Sequence, residues 1–303
     1  MPARVVCVGH SALDRVFTLD AWPPPGTSAK VPATSYAESG GGMAANAAVA
    51  VARLGGAAAF VGPVGDDAVA EVMRAELERC GVDASGMRRM PARRSSTSVI
   101  LVDARGERLI VNYRGDAVAS GAEWLPLDRI GGAAAVLVDV RWVAGAEAAL
   151  RHARAAGVPT VLDADVAPAR TLAALVPLAE HAIFSEPGLA AFAAGRSDAE
   201  ALRAALAAGA RVAGVTRGAA GFEWIGSGTP QVQHVPAPVV RAVDTTGAGD
   251  VFHGAYALAI AEGRSVGDAA LFACVAAALK CEHPGARSVP TRAQVEALAD
   301  RAA

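Results

Sequence analysis

The chain has 303 residues, 53% of them hydrophobic, and its 28 Lys and Arg against 30 Asp and Glu give a net charge of -2. That length can bury a substantial α/β core in one or two domains, while near-neutral charge gives no electrostatic case for nucleic acid or an anionic membrane. No apolar run approaches the roughly 20 residues of a membrane helix, the N-terminus enters a strand-like run rather than a signal segment, and four scattered cysteines (Cys7, Cys80, Cys274, Cys281) without a CxxC pair are expected to be reduced thiols. Together these point to the cytoplasm.

Arg4 to Gly9 predicts a short buried strand. From Asp14 the pattern changes to two segments of strand-like alternation around the rigid Trp22-Pro23-Pro24-Pro25-Gly26 turn. Prolines remove ladder donors, so this reads as an excursion out of any central parallel sheet. Gly40-Gly41-Gly42 precedes a long Ala/Val helix over Met43 to Leu54, closed by Gly55-Gly56. A strand at Ala57 to Val61 follows, then a helix that opens at Gly65-Asp66-Asp67 and runs to Cys80. Thr97 to Val102 and Arg108 to Tyr113 flank a four-residue turn and predict a β-hairpin. With the first excursion it forms a small sheet of its own, a lid from about 14–38 and 96–116.

From Ala133 the pattern alternates short apolar strands (135–138, 160–162, 182–184, 212–216) with helices. That alternation predicts an α/β fold: a doubly wound, mostly parallel sheet with helices on both faces, within a single 1–303 domain. Gly221 to Ile225 and Gln231 to Val235 read as a closing hairpin. Apolar helices at Ala248 to Ala261 and Val266 to Leu279 and a C-terminal helix finish the chain.

The stretch Asp244-Thr245-Thr246-Gly247-Ala248-Gly249-Asp250 carries the chemistry. It is a small-residue turn opening an apolar helix, with an acid at the helix start. Free N–H groups at such a start, at the positive end of the helix dipole, suit an anion, and the same field favours a carboxylate that can act as a base. The plainer alternative is an N-cap with a glycine turn. The chain lacks GxxxxGK[ST] and has no GxGxxG after its first strand, so neither a P-loop nor a dinucleotide site is indicated.

Taken together, Gly-Gly-Met-Ala-Ala-Asn at 41–46 and Asp-Thr-Thr-Gly-Ala-Gly-Asp at 244–250 resemble the paired signatures of the ribokinase or PfkB family of sugar kinases, and the layout is similar over essentially the whole chain. The resemblance implies an ATP- and Mg2+-dependent kinase. Asp250 would be the base that deprotonates the acceptor hydroxyl, and Gly247, Ala248 and Gly249 the backbone anion hole. Gly41, Gly42, Asn46 and Asp14 would hold the sugar, and Thr216, Gly218 and Gly221 would lie beside the nucleotide. Asp244 and Thr246, with the 285–288 loop, would hold a monovalent cation, K+. Phosphoryl transfer needs chiefly positioning, charge stabilisation and an aligned base, which agrees with these roles. A homodimer paired through the lids is the expected assembly.

Relatives carry Asn-x-x-Glu after the strand ending near Phe184, and its side chains organise the Mg2+ waters. Here the segment is Ser185-Glu186-Pro187-Gly188. Glu186 is a candidate for that role, or simply a helix-start acid beside proline.

For the sugar, Lys30 and Asn112 on the lid and Arg141 past a buried strand stand out. Each also has a plainer reading: a solvated lysine, a turn asparagine, and an arginine paired with Asp139 or Asp165. Val-Asp-Val-Arg-Trp (138–142) and Ala-Leu-Lys-Cys (278–281) resemble the sulfofructose kinase subgroup, in which a Lys, an Asn and an Arg grip a sulfonate. The implied substrate is 6-deoxy-6-sulfofructose, phosphorylated at C1. Fructose 6-phosphate, 2-keto-3-deoxygluconate and neutral ribose or fructose are the rivals within the class, and a non-catalytic sugar or nucleotide sensor is the alternative outside it. His253, three residues after Asp250, is expected to be a packed core histidine; His10, Asp163 and Asp165 are undecided.

Overall fold

The computed structural model describes residues 1–23, 26, 28, 30–105 and 107–302. Pro24 and Pro25 of the expected turn, and Gly106 of the hairpin turn, lie outside the described residues. In chain order, β1 (Arg4–Val8), β2 (Ala12–Leu19), β3 (Ser35–Gly41), α1 (Met43–Arg53), β4 (Ala57–Gly65), α2 (Ala68–Arg79) and β5 (Asp83–Met90) form the first third. The hairpin β6 (Ser96–Asp103) and β7 (Arg108–Tyr113) follows, then α3 (Leu127–Gly131), β8 (Ala135–Asp139), α4 (Val143–Ala155), β9 (Thr160–Ala164), α5 (Ala169–Leu175) and β10 (His181–Ser185). The chain ends with α6 (Glu186–Phe192), α7 (Asp198–Ala208), β11 (Val212–Thr216), β12 (Phe222–Gly226), β13 (Thr229–Val235), α8 (Ala248–Ala261), α9 (Val266–Cys281) and α10 (Arg292–Ala302).

Nine strands form one sheet in the order β13-β12-β11-β10-β9-β8-β1-β4-β5, parallel from β11 to β5 and closed at the other edge by the antiparallel β12 and β13. Side chains alternate across the pleat, so β1 sends Val5 and Cys7 into the layer of α1, α8 and α9, and Val6 and Val8 into the layer of α4, α5 and α7. The Ala-rich composition has a packing use: a Cβ on Gly254 of α8 would strike Ala47 O of α1, so these two helices approach at backbone distance. The strand order reverses beside β1, with β4 on one side and β8 on the other. Ligands of open α/β sheets bind beyond the strand ends at such a point.

The two excursions expected to form a lid build a separate second sheet, in the order β3-β2-β6-β7. Its members pair Asp14 with Ser39 and Ser98, and Ser98 with Asn112. Two elements differ from expectation. β4 runs four residues further, to Gly65, because it pairs with β5, an edge strand that sequence patterning does not indicate. β5 is mostly polar and half-exposed, with Arg88 and Arg89 outward, so it carries no apolar alternation.

Candidate active site

The first turn of α8 stands between two cavities. Gly247 caps it at φ 76°, and a Cβ there would meet the backbone of Ala286, so the position requires glycine. The first intrahelical bond is Val251 N–H to Gly247 O at 2.9 Å, which leaves the N–H groups of Gly249 and Asp250 ahead of the helix ladder. The Ala248 N–H, one of the three expected anion-hole donors, donates instead to Thr245 O at 3.1 Å.

On one side lies a cavity of about 580 Å3 lined by Asp14, Gly42, Asn46, Asn112, Arg141, Thr246, Gly247 and Asp250. His10, Ser98 and Arg114 join that wall. On the other side a cleft of about 320 Å3 is lined by Thr216, Gly218, Gly221, Ala248 and Gly249, with apolar walls from Val240, Phe252 and Ala277. The helix start is therefore shared: Gly247 and Asp250 face the polar cavity, Ala248 and Gly249 the apolar cleft.

Asp250 accepts from Asn46 Nδ2 at 2.7 Å, and Arg287 Nε donates to Asn46 Oδ1 at 2.9 Å. Arg287, which sequence reasoning missed, pairs with Glu76 at 3.0 Å and covers Gly40, where any side chain would collide with the guanidinium. Burial and the neighbouring Asp163 push the Asp250 carboxyl up to about 7, against the opposing bond from Asn46. A carboxyl poised there is matched to proton abstraction near neutral pH. Burial likewise raises Asp14, whose carboxylate backs onto Gly41 so closely that a Cβ would collide with it.

A second missed residue is Asp139, fully buried at the end of β8. It accepts from His10 N at 2.7 Å, Ala44 N at 3.1 Å and Arg141 N at 2.8 Å, joining the ends of β1 and β8 to the start of α1. His253 is buried, held by Gly249 O at 2.7 Å, and lies behind the helix start, as a core histidine should. Asp163 is buried beside it at 3.5 Å, and burial together with Asp165 and Asp139 raises its carboxyl well above the usual range.

The remaining expected site residues divide. Arg141 lines the polar cavity but also donates to Asp165 at 2.9 Å and Val166 O at 2.8 Å, the ion pair its plainer reading anticipates. Asn112 lines the cavity and donates to Ser98 Oγ at 3.0 Å. Lys30 is exposed and does not line the cavity. Glu186 opens α6, is exposed, and pairs with Arg217 at 3.4 Å; Ser185 caps the helix and donates to Asp165 at 2.9 Å. Asp244 accepts from Thr246 N at 2.9 Å, Gly285 N at 2.8 Å and Arg108 at 3.0 Å, and Arg108 also bonds the Thr246 hydroxyl.

A polar cavity and an apolar cleft that share the free N–H groups of one helix start, with a buried carboxyl at the junction, are the parts that a group-transfer enzyme needs. The model described as pfkB family carbohydrate kinase matches residues 2–292, and the chain belongs to that family. It is 32% identical to the ribokinase of Bacillus subtilis over 97% of this chain and 99% of the relative, and 35% identical to the fructokinase of Klebsiella pneumoniae over 70% and 74%. Its fold superposes on a solved structure from Agrobacterium tumefaciens with TM-score 0.92 and 39% identity, covering 99% and 98% of the two chains. Arabidopsis thaliana ribokinase, solved with ribose and ATP, gives TM-score 0.86 at 26% identity over 98% of each chain. The protein is thus an ATP-dependent sugar kinase.

Proposed function

We propose that the polar cavity takes an acidic ketose and that Asp250 removes the proton from its C1 hydroxyl as the oxygen attacks the γ-phosphate of ATP. The nucleotide lies in the apolar cleft, its base side against Val240, Phe252 and Ala277, with the phosphates directed to the Gly247–Asp250 turn. The N–H groups of Gly249 and Asp250 receive the charge that develops on the transferred group. Asp14 and Asn46 orient the sugar hydroxyls, and the sheet of β2, β3, β6 and β7 excludes water that would otherwise hydrolyse ATP.

Mg2+ accompanies nucleotide phosphates and needs only one or two protein carboxylates. Asp165 and Glu186, the residues just beyond β9 and β10, would hold its waters on leaving the ion pairs they make with Arg141 and Arg217, Ser185 standing where relatives carry asparagine. When bound, the ion neutralises charge on the β- and γ-phosphate oxygens.

The observation that carries the acidic-sugar reading is the pair of guanidinium groups, Arg114 and Arg141, in the same cavity wall as Asn112 and Asp250. A fixed anion with three acceptor oxygens satisfies such donors, and 6-deoxy-6-sulfofructose, giving the 1-phosphate, is the preferred substrate. A neutral-sugar reading draws support from the Arg141–Asp165 pair, which already satisfies one guanidinium. Side-by-side kinetics on sulfofructose, fructose 6-phosphate, ribose and fructose decide between them; a kcat/KM for ribose above that for both anionic sugars overturns the acidic reading. Absence of ADP release with every sugar would leave only a sensor.

The exposed residues Tyr36, Leu109, Val111 and Tyr113 share one side of the small sheet's pleat and form an apolar face suited to a second copy of the chain, the expected homodimer. No helix among the described residues is long and apolar enough to cross a membrane.

A further inference from the structure

Lys280 lies in the last turn of α9, inside an apolar run, and is 0% exposed. A buried ammonium is costly unless its charge and donors are compensated. Three features compensate it. Its Nζ donates to the main-chain carbonyl of Asp244 at 2.6 Å. It sits at the negative end of the α9 dipole, whose Cys281 carbonyl accepts the N–H groups of Val243 at 2.7 Å and Asp244 at 3.0 Å. The Asp244 carboxylate favours its charged form against the cost of burial.

Asp244 and Thr246, with the 285–288 loop, are where a bound K+ is expected, and the oxygens of Asp244 and Thr246 do not fit one. An alkali cation needs several free oxygen ligands, whereas here the Asp244 carbonyl already receives an ammonium. The Asp244 carboxylate receives two N–H groups and the Arg108 guanidinium, and the Thr246 hydroxyl receives Arg108 as well. Cationic donors stand where a cation would be bound.

We propose that the Lys280 ammonium is a tethered monovalent cation for the anion-hole loop, so that this kinase uses no added K+. It fixes Asp244 at the end of α9, and Asp244 in turn fixes Thr246 through its N–H, which sets the approach to Gly247 and the phosphate-facing turn. The fixed positive charge behind that turn opposes the charge on the nucleotide. This inference rests on the kinase class and not on which sugar is bound.

The test measures thermal midpoint and MgADP affinity in potassium chloride and in tetramethylammonium chloride at equal ionic strength. Neither readout involves an acceptor sugar, so failure here is separable from failure of the acidic-ketose reading. The wild-type protein should change its MgADP affinity by less than about twofold, with no shift of midpoint. Lys280→Met should bind MgADP roughly 5- to 100-fold more weakly in tetramethylammonium, the usual size of coupling between sites, and recover in potassium or ammonium chloride. A wild-type affinity or midpoint that rises with potassium overturns the proposal. So does a folded Lys280→Met that neither potassium nor ammonium rescues. If that variant does not fold, the wild-type comparison decides alone.

Discussion

Asn46 Nδ2 donates to Asp250 Oδ2 at 2.7 Å, joining two residues 204 positions apart in the chain. Arg287 Nε donates to the other end of the same amide at 2.9 Å, and this fixes which way the amide points. A carboxylate that accepts from an amide is favoured in its charged form, so Asn46 restrains the upward push that burial and Asp163 exert on Asp250. The acidic limb of kcat/KM should therefore be centred near pH 7, with activity gained as pH rises and the base deprotonates. Asn46→Ala should move that midpoint up by roughly one to two pH units, the worth of one hydrogen bond to a charged group. A pH profile with an unmoved limb would remove Asp250 as the titrating base.

Asp250→Asn tests the same carboxyl from another side. Turnover should fall by about 10²- to 10⁴-fold, the ordinary contribution of a positioned base, while calorimetric binding of sugar and MgADP persists. Stability should move the opposite way. The folded carboxyl is raised from 3.8 to about 7, so its stabilising contribution is complete below the unfolded value and lost as pH rises through 7. Denaturant unfolding should find Asp250→Asn more stable than wild type at pH 8, by on the order of a few kcal/mol, and nearly equal at low pH. A variant less stable at both would mean that the charge is not destabilising in the fold.

How much of this was legible in the sequence follows from how local each feature is. The Gly247 turn, the apolar α8 and the short strands from β8 to β11 are written in contiguous residues, and the structure has them where patterning places them. Asp139, Arg287 and Lys280 were not found, because each takes its meaning from a distant partner: Ala44, Asn46 and Asp244 respectively. Only Lys280 left a local signal, a single charge in the apolar run Leu271 to Cys281. Lys30 shows the converse. Its residue type suggested an anion clamp, but its position on the lid leaves it exposed and off the cavity wall. β5 escaped notice because an edge strand with a polar outer row needs no apolar alternation.

Arg141 separates the two substrate readings. Its guanidinium donates to Asp165 and Val166 O while lining the cavity. If it also holds the anionic group of the sugar, Arg141→Ala should raise KM for an acidic ketose by roughly 10- to 100-fold, equivalent to a charge-assisted hydrogen bond of about 1.5–3 kcal/mol, with little change for fructose. An equal loss for both sugars would assign Arg141 to the Asp165 pair and to the orientation of β9.

Arg108 ties the small sheet to the loop that leads into α8. It lies at the start of β7, yet its guanidinium reaches Asp244 at 3.0 Å and the Thr246 hydroxyl, so the hairpin is fastened to the residues that lead into the proposed anion hole. Burial alone would raise the Asp244 carboxyl, but the N–H groups of Thr246 and Gly285 hold it well below the usual range, so it stays ionised and available to Arg108 at any working pH. The Arg108 side chain is 38% exposed, and a pair of this kind contributes only about 0.2–1 kcal/mol, so Arg108→Ala should scarcely lower the thermal midpoint. Its effect should fall on closure. With the fastening gone, water reaches the γ-phosphate more often, and ADP release without sugar should rise relative to sugar-stimulated turnover. The ratio of those two rates, measured in one coupled assay, is the readout. A ratio unchanged from wild type, with a midpoint lowered by several degrees, would make Arg108 a structural tie rather than a latch.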